Sequence, residues 1–233
     1  MMLQLKKVTK QFTLHHQHGI QLNVLNNVDM SISAGECVVL DGPSGMGKST
    51  LLKLIYANYR VTSGEIEVRQ ADGSLLELTK ADPRELIRMR RDSVGYVSQF
   101  LRIIPRVSAL DVVAEPLLED AEGDIDAILE AREQASALLT RLRIQEKLWE
   151  LPPATFSGGE QQRINIARNM IKHKSILLLD EPTASLDEEN SQTVIDLIYE
   201  AINRGTAVVG IFHDSNVANA VATRHIDVMQ FRK

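Results

Sequence analysis

The sequence predicts an α/β fold with three parts: a parallel-sheet core, an antiparallel β layer ahead of it, and an α-helical insertion within it. From residue 175 onward, strand-like and helix-like stretches alternate as 175–180, 188–203, 206–212, 215–222 and 224–230. Such alternation calls for a parallel sheet with right-handed crossovers. Short apolar runs open the chain, Leu3 to Val8, Gln21 to Leu25 and Val28 to Ile32, and predict a strand-rich first layer. From about 106 to 173 the chain turns polar and helical instead. The expectation is one domain over 1–233, with 1–105 and 174–233 as its α/β core and 106–173 as the helical subdomain.

Each element has a local reason. Glu36-Cys37-Val38-Val39-Leu40 reads as a buried strand, and Leu51 to Ala57 has the apolar spacing of a helix. Ile66-Glu67-Val68 and Leu75 to Leu78 flank Asp72-Gly73, a hairpin signal. A charged helix is expected from Pro83 to Arg91, then a short strand over Val94-Gly95-Tyr96-Val97. Ile125, Ile128, Leu129, Ala135, Leu138, Leu139 and Leu142 fall near helical spacing, and Pro152-Pro153 ends that run.

Composition narrows the function. The chain is 44% hydrophobic and 24% charged, as in an ordinary globular protein. Its formal net charge of −5 lacks the basic footprint of a nucleic-acid binder. No run approaches the roughly 18 apolar residues of a membrane span, and no signal-peptide core opens the chain. A cytoplasmic protein is expected, without direct membrane insertion. The single cysteine, Cys37, reads as a small buried apolar residue.

Chemistry concentrates at the loop between the first core strand and its helix. Gly42-Pro43-Ser44-Gly45-Met46-Gly47-Lys48-Ser49-Thr50 fits G-x-x-x-x-G-K-[ST] at every fixed position. The strand before it and the helix after it supply the context that a chance match in a structural turn would lack. Glycines allow a tight turn with inward N–H groups, and the helix N-terminus adds partial positive charge. Lys48 is expected to reach the outer phosphates of a nucleoside triphosphate, and the Ser49 hydroxyl to ligate magnesium.

A second apolar strand, Ile176 to Leu179, ends in Asp180 and Glu181. An acid at that end of a strand beside a phosphate loop can hold magnesium, the role expected of Asp180. Glu181 is then placed to orient or deprotonate an attacking water. The plain alternative is that the pair caps the following turn. Finally, Phe156-Ser157-Gly158-Gly159-Glu160-Gln161-Gln162-Arg163 puts small residues at a helix N-terminus, another anion site.

Taken in order, these motifs resemble the ATP-binding cassette (ABC) ATPases over essentially the whole chain. The resemblance implies ATP and Mg2+ as ligands and a dimer partner, either a second copy or a related cassette. It implies that Phe12 stacks on adenine and that Gln99 touches the magnesium ion. Ser157, Gly158 and Gly159, with Glu160 beside them, would contact the γ-phosphate held by the other subunit. The loop Ala184-Ser185-Leu186-Asp187 would couple the two sites, and His213 would act as the switch histidine. One departure stands out: Glu160 replaces the usual glutamine of the signature. Without the family pattern, Phe12 is a packed surface aromatic, and His15, His16 and His18 form a polar loop.

Outside the generic motifs, Val97 to Leu110, Leu148-Trp149, Leu54 to Tyr59 and Gly210 to Asp214 resemble the ATP-binding subunits of the carbon–phosphorus lyase system. That likeness implies soluble lyase subunits as partners, in the step joining a phosphonate to the ribose of ATP. The alternative is the ATPase of a membrane transporter of the lipoprotein-release type, which shares the Ser-Gly-Gly-Glu signature. A nucleotide-gated assembly factor with negligible turnover fits the intact Asp180–Glu181 pair less well.

Overall fold

The computed structural model describes residues 1–14, 19–98, 106–119 and 123–232. Two sheets organise it. The first is antiparallel, in the order β2 (Ile20–Ile32), β1 (Leu3–Leu14), β4 (Ser63–Arg69), β5 (Leu75–Glu77). The second is parallel throughout, in the order β6 (Val94–Val97), β7 (Ile176–Asp180), β8 (Ala207–Ile211), β3 (Cys37–Asp41), β9 (Arg224–Asp227). The expected fold class holds.

The inner parallel strands β7, β8 and β3 read as nearly unbroken apolar runs because both of their faces are covered. Val38 and Leu40 of β3, with Ile176 and Leu178 of β7, point into a core shared with the antiparallel sheet. Between the two sheets lies α1 (Lys48–Ile55), whose Leu51, Leu52, Leu54 and Ile55 are all buried. The alternate residues Cys37, Val39, Leu177 and Leu179 face the opposite core. There they meet α3 (Ala109–Leu118), α5 (Gly158–Met170), α6 (Glu188–Asn203) and α7 (Ser215–Val221). Burial pushes the Cys37 thiol up to about 12, so it behaves as the small apolar residue expected. The remaining helices are α2 (Pro83–Asp92), opened by a capping box of Asp82 and Glu85, and α4 (Ile125–Arg141).

Three local expectations change. The runs 21–25 and 28–32 are one strand, β2, interrupted by an irregularity in its pairing with β1. Asn27 takes a left-handed backbone there (φ 52), and its N–H donates to Thr9 Oγ1, which breaks the alternation a sequence reading relies on. The final strand stops at Asp227, not 230, because the Asp227 carboxylate caps a 3-10 turn over Val228–Phe231. In α4 the packed stripe is Ala131, Ala135 and Leu139, leaving Ile125 72% and Leu129 60% exposed. At about 100° per residue, those two lie a quarter to a third of a turn off the stripe.

Candidate nucleotide site

The glycine loop joins β3 to α1, and its backbone shows why glycine is needed there. Gly47 closes the loop at φ 97 as the residue preceding α1. A Cβ at Gly47 would stand 2.9 Å from Val24 Cγ1 and 3.3 Å from the Val24 carbonyl, so β2 presses on the loop from outside. Conformation and space therefore both exclude a side chain. Gly42 and Gly45 share the positive φ, and Pro43, Ser44 and Gly45 form the exposed tip. Met46 and Thr50 are partly buried behind it. The Lys48 ammonium turns inward along the loop, donating to the Gly42 carbonyl and, at 3.0 Å, to the Pro43 carbonyl.

From the other side comes β7. Asp180 at its end is 8% exposed, and its Oδ1 accepts the Ser49 hydroxyl at 2.9 Å across 131 residues of sequence. This contact directs the Asp180 carboxylate at the glycine loop. Its Oδ2 accepts the Tyr96 hydroxyl, also at 2.9 Å. Burial and the Asp180 charge push the Tyr96 phenol well above its ordinary range, which keeps it a donor. Sequence reasoning missed Tyr96. The available signal was a tyrosine inside an otherwise apolar strand, since a buried phenol needs a partner.

Glu181 follows with a left-handed backbone (φ 53), unusual for a residue with a side chain. Its N–H donates to the Ile211 carbonyl at 2.9 Å, which fixes the turn out of the sheet. Because Asp180 pairs with Ile211 in the parallel register, the exposed His213, two residues further on, emerges at the same end of the sheet. Phe12 sits on β1 opposite Leu22, with its ring edge-on to Tyr59 at 5.3 Å. The Lys10 ammonium lies over the Phe12 ring, 4.5 Å from its centre. Gln99 and the 100–105 stretch lie outside the described residues, as do His15, His16 and His18.

The Ser-Gly-Gly-Glu segment has its own architecture at the start of α5. Ser157 caps the helix by accepting from Glu160 N, and the Glu160 carboxylate accepts from Ser157 N at 2.9 Å and Ser157 Oγ at 2.7 Å. These hydrogen bonds hold the Glu160 carboxyl below its usual range. The reciprocal cap gives Glu160 a defined task, one that needs glutamate or glutamine at this spacing. A Cβ at Gly158 would meet nothing within 4 Å, so this helix end opens onto space. At Gly159 it would stand 2.9 Å from the Ser185 carbonyl, so the segment rests directly on the loop 184–187. Asp187, in the loop expected to couple the two sites, caps α6, with both its oxygens engaged by Asn190.

The structure thus gathers Gly42–Thr50, Asp180, Glu181 and His213 at one end of the parallel sheet. The serine–glycine corner is held by its own reciprocal hydrogen bonds between Ser157 and Glu160. Ser49 and Asp180 offer a hydroxyl and a carboxylate oxygen side by side, a hard donor set that suits magnesium.

The ABC transporter family model matches residues 25–184, from β2 through the loop after Asp180 and Glu181. This chain belongs to the ABC transporter ATP-binding family. It is 34% identical to an uncharacterized ABC transporter ATP-binding protein, MJ0796, of Methanocaldococcus jannaschii, over 93% of this chain and 89% of that one. It is also 34% identical to the lipoprotein-releasing system ATP-binding protein LolD of Idiomarina loihiensis, over 93% of this chain and 90% of LolD. The macrolide export ATP-binding/permease protein MacB of Burkholderia thailandensis is 36% identical, but this chain spans only 33% of it. In three dimensions the chain superposes on the ATP-binding cassette MJ0796, in its dimeric post-hydrolysis state with ADP and Pi, with a TM-score of 0.85 at 33% identity. That superposition covers 97% of this ABC chain and 95% of the other. The family match includes the glycine loop, the serine–glycine corner and the acidic pair; Phe12, Asp187 and His213 lie beyond it.

Proposed function

We propose that this chain binds ATP with Mg2+ and hydrolyses it at a site that a second cassette completes. The observation that carries this reading is the Ser49–Asp180 hydrogen bond of 2.9 Å, which joins the phosphate loop to the acidic strand end with Glu181 next in sequence. Lys48 and the backbone N–H groups of the glycine loop that follow Pro43 take the β- and γ-phosphates. Ser49 and Asp180, with Gln99 by the family resemblance, would hold a magnesium ion, which would neutralise charge on the triphosphate. Glu181 accepts a proton from the attacking water, and His213 contacts the γ-phosphate side of the same site. Phe12 offers its ring to adenine once the Lys10 ammonium moves aside. Phosphoryl transfer needs little covalent help, so these positioning and charge effects supply most of the rate.

The serine–glycine corner serves the partner. Ser157, Gly158 and Gly159 present an open helix N-terminus to the γ-phosphate of the other subunit, and Glu160 keeps the serine in place. Dimeric structures of the MJ0796 cassette support a dimer of cassettes. The loop 184–187, in contact with Gly159, then links the corner to Glu181 within one chain. The cassette is a single domain over 1–233, with 106–173 as the helical subdomain.

Two readings of the larger assembly have separate support. The names of LolD and MacB favour an ATPase working with a membrane transporter, more directly than they favour any soluble partner. The likeness of Val97 to Leu110, Leu148-Trp149 and Gly210 to Asp214 to the ATP-binding subunits of the carbon–phosphorus lyase system favours soluble lyase subunits in phosphonate catabolism. Both readings are cytoplasmic, without nucleic acid, and no described helix is long and apolar enough to cross a membrane. The relatives carry several different names at 31–38% identity, so the shared cassette does not dictate the work it drives. Affinity purification from cells grown on a phosphonate separates the two. Soluble lyase subunits in the eluate support the phosphonate reading, and a polytopic membrane protein supports the transporter reading.

A further inference from the structure

We propose that Tyr96 is a positioning residue for Asp180, fixing the plane of the carboxylate so that it can hold magnesium. This rests on the ATP-hydrolysing reading above and adds a residue to it. The torsion that rotates an aspartate carboxylate is broad, so a metal-holding aspartate needs outside restraint. Asp180 has one donor on each oxygen: Ser49 Oγ on Oδ1 and Tyr96 Oη on Oδ2, both at 2.9 Å. Ser49 is itself a proposed metal ligand. Tyr96 is not, so its hydroxyl serves orientation alone.

Tyr96 is in turn held rigidly. Its backbone N–H donates to Asn169 Oδ1 at 3.1 Å, and its ring lies against Tyr56 with centres 5.1 Å apart at an interplanar angle of 37°. The guanidinium of Arg90 sits 5.0 Å from the Tyr56 ring centre. It also donates to the carbonyls of Tyr56 and Ala57 at 3.0 and 2.8 Å. Arg90, Tyr56 and Tyr96 together line a surface groove of about 420 Å³, so the stack runs from that groove to the acidic strand end. A tyrosine wanted only for packing would not need its hydroxyl on Asp180. Phenylalanine would fill the same space.

Tyr96→Phe removes that hydroxyl and keeps the ring on Tyr56. Mn2+ binding is measured by electron paramagnetic resonance with a non-hydrolysable ATP analogue present, and analogue binding is measured separately in a chelator. The expected result is Mn2+ affinity weakened about 10- to 100-fold, the usual effect of losing an outer partner of a metal ligand. Analogue binding without metal should stay at the wild-type value. Superimposable Mn2+ titrations for wild type and variant would overturn the role of Tyr96 while leaving the nucleotide site standing. Equal losses with and without metal would overturn it too, as damage to the fold. A wild type that binds no Mn2+ would remove the metal site and the Tyr96 role together. Should the variant fold poorly, wild type carrying 13Cζ-labelled tyrosine gives a second test. Among the four tyrosines, the Tyr96 signal should shift on adding Mg2+ to the nucleotide complex, and a stationary signal would overturn the proposal.

Discussion

Replacing Glu181 by glutamine leaves a protein that still binds ATP, turns it over about 10²–10³-fold more slowly, and collects as an ATP-bound dimer. The substitution nearly preserves size but removes the carboxylate proposed to take the proton of water. Backbone geometry sharpens the expectation. Glu181 stands at φ 53, held by its N–H bond to the Ile211 carbonyl, and glutamine meets that conformation at the same cost. The fold should therefore survive, so lost turnover reports on chemistry. In the proposed dimer ATP joins two subunits through the phosphate it would otherwise lose, so slow hydrolysis should trap the joined state. Single-turnover kinetics and sedimentation with ATP read both effects. Equal turnover in wild type and variant would take Glu181 out of its role.

Lys48→Ala acts one step earlier, on binding. The Lys48 ammonium turns toward the loop carbonyls of Gly42 and Pro43, which places it at the proposed phosphate site. Each hydrogen bond to a charged group is worth about 1.5–3 kcal/mol. Losing the lysine should therefore weaken ATP binding by about 10- to 100-fold, with hydrolysis lost along with occupancy. Fluorescent-nucleotide titration measures this directly. Binding at wild-type strength with only slowed turnover would assign Lys48 to the transition state instead.

Much of this site is legible along the chain because its parts are local. Gly42 to Thr50 carries strand, loop and helix in one stretch, and Asp180-Glu181 ends an unmistakable apolar run. The signature is local too. Glu160 departs from the family glutamine, yet third after a capping serine it closes the reciprocal box seen at α5. What escapes a sequence reading depends on register between distant strands. Tyr96 meets Asp180 across 84 residues only because β6 and β7 run parallel with Tyr96 opposite Leu178. No periodicity along either segment encodes that meeting. The misread segments have physical causes of the same kind. The Asn27 irregularity splits β2 into two apparent runs, and the Asp227 cap ends β9 early. The exposed Ile125 and Leu129 show that helical spacing marks a stripe without saying which side of it the core will take.

The dimer is the point on which the whole account turns, since the Ser157–Gly159 corner is proposed to serve the nucleotide of the partner. The most direct measurement is ATP turnover per chain across a dilution series, with the oligomeric state followed by sedimentation at each concentration. Specific activity should fall as the protein is diluted into monomers and recover when it is concentrated again. Undiminished turnover per chain from a population that sediments only as monomer would contradict the account.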